Sequence, residues 1–197
     1  MNIKKIKEKF IKNNGILKSN QLYDLNLNYN DIQYLIEENS IEKIRNGYYC
    51  LKGNNYSEEK FVSLLFPKAV ICMDSALFYY GYSDKTPLCW HIAVDKDTSK
   101  AQFKISYPCI KPYYMEPKEL EYGITTVKYN KCNLKIFDKD RLICECFKYE
   151  KKIDKELFNK AVQAYIKDSK KNIKNLLTYS KKRNIQKKVK NIIGLFL

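Results

Sequence analysis

Asn30 and Gln33, flanked by Tyr29 and Tyr34, carry the chemistry most readily placed in this chain. Carboxamides near the start of a short helix can each make paired hydrogen bonds to an adenine edge in the major groove of DNA. A few residues later the stretch "IEKIRNGYYCL", Ile41 to Leu51, gathers Lys43, Arg45 and Asn46 around an Asn-Gly bend. Such groups at a hairpin tip lie over phosphates or in the adjoining minor groove. Lys18, Ser19 and Asn20, a little upstream, complete the set of candidate DNA-contacting side chains.

Catalytic chemistry finds no comparable footing. His91 is the sole histidine and sits in the apolar run "CWHIAV", where a satisfied core residue is the expected reading rather than a general base. A restriction-type nuclease needs an Asp followed by Glu-x-Lys on strand positions, whereas Glu58 to Lys60 falls at the start of a predicted helix. Six dispersed glycines form no phosphate-cradling loop. Seven cysteines, at 50, 72, 89, 109, 132, 144 and 146, are scattered without a Cys-x-x-Cys pair, so reduced thiols and no metal are expected. The residues therefore predict a binding protein without enzyme activity, metal or cofactor.

The elements that would position the DNA-contacting groups follow from periodicity. "NIKKIKEKFIKNNG" places Ile3, Ile6 and Phe10 on one helical face and ends at Gly15, a residue suited to a left-handed close. Ser19 is expected to cap a short second helix, and a third begins near Asn30 with Ile32, Leu35 and Ile36 inward. The Asn46-Gly47 hairpin comes next, its tight bend expected to take positive φ at both central residues. Helix, helix-turn-helix, hairpin is the order of a winged helix, and residues 1–53 are assigned to it. The reading rests on those eleven residues forming an isolated, exposed finger.

After the polar connector "NNYS", residues 57–197 read as an α/β domain with a small sheet and a helical carboxyl-terminal array, so the whole chain is α+β. Ser57 caps a helix stopped by Pro67, and "AVICMDSALFYYGYSDKTP" is a buried strand followed by a short helix. Strands are expected at "CWHIAVD", "FKISYP", "GITTVKY" and "CNLKIFD". Helices are expected at "DKDRLICECFKY", "DKELFNKAVQAYIK", "NIKNLLTYSKKR" and "IQKKVKNIIGLFL". No run of about 18 apolar residues occurs, and the lysine-broken amino terminus lacks the apolar stretch of a signal peptide, which predicts a soluble, cytoplasmic protein with no membrane association.

The net charge of +15 is unevenly spread. Residues 1–52 hold 9 basic against 6 acidic residues, residues 53–149 hold 14 against 12, and residues 150–197 hold 14 against 4. In the last segment Lys170, Lys171, Lys174, Lys181, Lys182, Arg183, Lys187, Lys188 and Lys190 flank an apolar set that includes Ile173, Leu176, Ile185, Val189 and Ile193. Two readings of this basic face stand open, a merely solvated surface and one that attracts a polyanion or an acidic partner.

Taken end to end, the chain resembles the AbiEi-type antitoxins of type IV toxin-antitoxin systems. The resemblance is carried by "GILKSNQLYDLNLNYNDIQYLIEENSIEKIRNGYYCL", "SALFYYGYSDKTPLCWHIAV" and "DKDRLICECFKYEKKIDKELFNKAVQAYI", which fall where that family has its winged helix, its Ser-Ala-Leu helix and strand, and its Asp-x-x-Arg helix. Asn39 stands where the family usually has Gly before the wing, Leu142 where it has Thr, and Glu145 where it has Asp. The resemblance implies an autorepressor that binds inverted repeats of double-stranded DNA in its own promoter. It also implies an antitoxin that counters a nucleotidyltransferase-type toxin in abortive infection, a phage defence. The alternative is a stand-alone winged-helix transcription regulator whose second domain senses a ligand or dimerises.

Overall fold

Apolar spacing sets the first element: Ile6 and Phe10 are buried on α1 (Ile3–Lys12), which closes through Asn13 and Gly15. In the computed structural model, which describes residues 2–53 and 56–194, a short strand follows, β1 (Ile16–Lys18). It leads directly into α2 (Ser19–Tyr23) and then α3 (Tyr29–Glu37). The hairpin β2 (Ile41–Arg45) and β3 (Tyr48–Leu51) completes this part of the chain. Asn39 turns the chain from α3 into β2 at φ +54°, the left-handed conformation expected of it. A first core of Ile6, Phe10, Leu17, Leu22, Ile32, Leu35, Ile41 and Tyr49 is drawn from all of these elements.

The hairpin is not isolated. β1 pairs antiparallel with β3, giving a three-stranded sheet in the order β1-β3-β2 with Ile16 opposite Cys50 and Lys18 opposite Tyr48. A register irregularity lies between Lys43 and Arg45, and of the two bend residues only Gly47 takes positive φ, +76°. The extra residue of a bulge increases local twist, so one left-handed position closes the bend where two were expected.

The rest of the chain builds α4 (Glu58–Leu65), β4 (Val70–Ile71), α5 (Met73–Tyr79), β5 (Trp90–Asp95), β6 (Ile110–Met115), β7 (Ile124–Tyr129) and β8 (Cys132–Phe137). Helices α6 (Lys139–Lys148), α7 (Lys155–Lys167), α8 (Ile173–Lys182) and α9 (Gln186–Ile193) follow. The strands form a mixed five-stranded sheet in the order β6-β5-β4-β8-β7. Its outer neighbours β5–β6 run parallel and β7–β8 antiparallel, with β4 parallel to β8. With two sheets and nine α-helices among the described residues, the architecture is mixed α+β.

Two expectations fail in this region. "FKISYP" is not a strand: Phe103 closes a 3-10 turn (Lys100–Phe103), the rest is irregular chain, and the strand lies just beyond it at Ile110–Met115. Pro112 conceals β6 from sequence reading, yet on an edge strand a residue without an N–H costs little. Cys89 and Cys109 are joined as a disulfide rather than standing as free thiols. Trp90 pairs with Ile110 in the parallel register, which sets the two preceding cysteines side by side with Cα atoms 4.5 Å apart. Cys50, Cys72, Cys144 and Cys146 are buried and free, as expected, and Cys132 is free and half-buried.

The larger core runs through both faces of the second sheet and includes Phe137, Leu142, Phe147 and Tyr165. It also takes in Ile16 and Cys50 from the first sheet, so the two parts of the molecule share apolar contact. Asn54 and Asn55 of the predicted connector, and Leu195, Phe196 and Leu197 of the last predicted helix, lie outside the described residues. No helix among the described residues is long and apolar enough to cross a membrane.

Candidate nucleic-acid interface

Helix α3 starts with a reciprocal cap. The Asp31 amide donates to Asn28 Oδ1 at 3.0 Å, and the Asn28 amide donates to Asp31 Oδ2 at 2.8 Å. Asp31 in the first turn also complements the helix dipole. Ile32 and Leu35 face the core, which turns Tyr29, Asn30 and Tyr34 to solvent and leaves Gln33 half-buried beside them. Tyr29 is 65% exposed and Tyr34 52%, high for aromatic side chains. At nine residues the helix is about 13 Å long, and a helix of ordinary width fits a major groove.

The bend at Asn46-Gly47 is fastened to the start of α2. The Ser19 amide donates to the Gly47 carbonyl at 3.0 Å, and the Ser19 Oγ lies 3.8 Å from where a Cβ on Gly47 would sit. Ser19 is thus the first helical residue and half-buried, not the cap. The cap position falls to Lys18, whose amide donates to Gln21 Oε1 at 2.9 Å. Lys18, Asn20, Lys43 and Asn46 are exposed, and the Lys18 ammonium reaches over the Tyr48 ring at 5.6 Å. α3 packs on β2, which carries Lys43, so the two groups of candidate residues stand on adjoining elements.

Arg45 departs from expectation. Its side chain is only 9% exposed and points away from solvent into the seam between the two parts of the molecule. Nη1 donates to the Gln102 carbonyl at 3.0 Å and Nη2 to the Leu65 carbonyl at 3.0 Å. The guanidinium stacks over Tyr48 at 4.1 Å and Phe66 at 5.1 Å. With its terminal nitrogens engaged on a buried and a part-buried carbonyl, it is turned away from any phosphate, and the bulge between Lys43 and Arg45 is what turns it inward. It also borders a cleft of about 450 Å³ along the seam, lined in part by Phe66, Phe103 and Leu120.

The basic carboxyl-terminal face divides in the same way. Lys170, Lys174, Lys181, Lys182, Lys187, Lys188 and Lys190 are exposed, while Lys171 is half-buried with its ammonium 3.4 Å from the Asp168 carbonyl. Lys188 pairs with Glu150 at 2.8 Å, and Lys182 lies 4.4 Å from the Tyr122 ring centre. Arg183 does not belong to this face. It is buried, its Nη2 donating to Glu145 Oε2 at 2.9 Å and its guanidinium also paired with Glu119. Leu176, Ile185, Val189 and Ile193 are buried beneath, as the helical spacing predicts.

Sequence reasoning missed the cluster that Arg183 joins. Arg141 Nε donates to Glu145 Oε1 at 2.7 Å, so one fully buried carboxylate holds two guanidinium groups. The rest of the Arg141 guanidinium lies between the Tyr122 ring at 4.1 Å and the Phe137 ring at 4.8 Å. The available signal was the i, i+4 spacing of Arg141 and Glu145 around the apolar run Leu142, Ile143, Cys144.

His91 is buried, with Nδ1 3.3 Å from the Tyr113 hydroxyl and 3.4 Å from Asp74 Oδ1. Burial lowers its pKa to about 4; the Asp74 carboxylate acts against that shift and Lys111 adds to it. Tyr113 in turn has its phenol pushed up, chiefly by burial. No group of three or more potential ligands capable of holding a metal ion occurs among the described residues. No family model matches the chain, and no curated protein matches it in sequence.

Proposed function

We propose that the chain is a DNA-binding antitoxin and autorepressor of the AbiEi type. In this reading residues 1–53 act as a winged helix, with α3 in the major groove and the β2–β3 bend alongside it. Residues 57–197 counter the effect of a nucleotidyltransferase-type toxin in the cytoplasm, without enzyme activity of their own. The observation that carries the DNA-binding reading is the exposed set Tyr29, Asn30 and Tyr34 on α3, with half-buried Gln33 beside them, adjoining the strand and bend that offer Lys43 and Asn46. Amide and phenol groups supply base-edge contacts, and Lys18 and Lys43 supply phosphate contacts that add affinity by counterion release. The hairpin belongs to a three-stranded sheet and Arg45 is turned inward, so the isolated finger no longer supports the reading, which rests on the α3 face alone.

Footprinting of the chain's own upstream DNA tests the first half: protection of an inverted repeat is expected, since a twofold site seats two copies. Absence of any protected repeat overturns it. Co-expression with the product of a neighbouring nucleotidyltransferase gene tests the second half, with relief of growth arrest expected. A chain that protects the repeat but leaves the arrest in place is a stand-alone regulator. The seam cleft beside Arg45 is the feature that favours this second reading, because a ligand lodged there would touch both the hairpin strand and the larger unit.

A further inference from the structure

A second cavity, of about 140 Å³, lies away from the candidate DNA-contacting residues, among α4, α5 and the sheet. Its walls include Phe78, Tyr79, Trp90 and Tyr129, with Glu58 and Glu59 contributed by the start of α4. Tyr129 packs at 5.4 Å from Tyr79 and edge-on at 5.8 Å from Trp90, so the aromatic wall is continuous. Trp90 Nε1 donates to Glu58 Oε2 at 2.6 Å, and Asn130 Nδ2 donates to Glu59 Oε1 at 3.0 Å. Those donors are neutral. Neither carboxylate forms an ion pair with a lysine or arginine among the described residues, although Glu59 is buried and the chain carries 37 basic side chains.

Glu59, buried, and Glu58, half-buried, hold negative charge here with neutral donors in place of a cation, and aromatic rings line the cavity beside them. Both features are relieved by the same occupant. We propose that this cavity binds a small organic ammonium ion, seated against the aromatic wall by cation–π attraction and drawn in by Glu58 and Glu59. The volume suits a group of about six heavy atoms, since a cavity of ~150 Å³ accommodates benzene. A methylated ammonium head such as that of choline matches this size and charge. Hydrated inorganic cations gain nothing from apolar walls.

Trp90 is the only tryptophan in the chain and forms part of the wall, so its fluorescence reports occupancy in the full-length protein without DNA. The chain is titrated at constant ionic strength with choline, and separately with its uncharged isostere in which carbon replaces nitrogen. A saturable change with choline is expected, with the neutral isostere binding roughly tenfold or more weakly. Glu58→Gln keeps an acceptor for the Trp90 N–H while removing the charge. It is expected to weaken choline about tenfold and leave the isostere unchanged, with circular dichroism confirming the fold. A linear, collisional response to choline overturns the proposal. Equal binding of choline and the isostere also overturns it and leaves only an apolar hole.

Discussion

Replacing Arg45 by Met separates two roles that a basic residue near a hairpin bend could play. In this structure the guanidinium donates to the Leu65 and Gln102 carbonyls and stacks on Tyr48 and Phe66. Methionine fills part of the volume and keeps apolar contact with the rings, but leaves the buried Leu65 carbonyl without its donor and the part-buried Gln102 carbonyl to water. The orphaned Leu65 acceptor costs roughly 1–3 kcal/mol, and removal of the guanidinium offsets little of it, so the net loss is about 1–3 kcal/mol. For a chain of this length that lowers Tm by roughly 3–10 °C, measured by scanning calorimetry or circular dichroism. Lys43→Ala is the control: Lys43 is exposed on β2, and its truncation is expected to leave Tm nearly unchanged. If Lys43 contacts a phosphate, the slope of log affinity against log salt falls by about 0.9 in fluorescence anisotropy titrations. Arg45→Met is expected to leave that slope alone in the fraction that remains folded. An Arg45→Met protein that keeps its Tm and loses a unit of salt slope would refute the inward placement and restore the arginine to the DNA surface.

Asn30→Ala or Gln33→Ala is expected to narrow the gap between cognate and random DNA by roughly 1–3 kcal/mol in competition binding, and equal losses on both would remove α3 from base reading. Glu145→Gln leaves Arg141 and Arg183 with no full counter-charge in a buried site, and a destabilisation of about 3–5 kcal/mol is expected by urea unfolding. His91 has its folded-state pKa lowered to about 4, whereas in the unfolded chain it titrates near 6.5, so between these values the unfolded state binds more protons. Stability from this residue is therefore complete above about pH 6.5 and drains as pH falls towards 4; His91→Gln should flatten that part of the stability curve, and an unchanged slope would show that other groups govern it.

Local pattern carried far into the fold. Helices α1, α3, α6, α7 and α8 lie within a residue or two of where their apolar spacing and caps put them, because Asn28, Asp138, Asp154 and Asn172 each accept an N–H of the following turn. Strands β5, β7 and β8 were visible as apolar or alternating runs between turn residues. Elements that sequence concealed are those whose existence depends on a partner. β1 is three residues long and forms because β3 is there to pair with it. β6 contains a proline and reads as loop until its edge position is known.

The same distinction separates the candidate site residues. Exposure of Asn30 and Tyr34 follows from helical phase, since they lie opposite the inward Ile32 and Leu35; Tyr29, three residues before Ile32, is exposed at the first position of the helix. The direction of Arg45 does not follow from any local rule, because a strand position alternates faces only until a bulge adds a residue. The bulge between Lys43 and Arg45 reverses the phase of the strand end, and Leu65 and Gln102, 20 and 57 residues away in sequence, supply the acceptors that make burial affordable. Arg183 repeats the lesson at the C-cap of α8, where it finds Glu145 from 38 residues earlier and leaves the lysine face. In a chain this rich in cations, a long-range acceptor decides which basic side chains are surface and which are structure. The lysines, with a compact and strongly hydrated charge, stay mostly outside, and the two arginines in question are drawn in by partners their planar forks can reach.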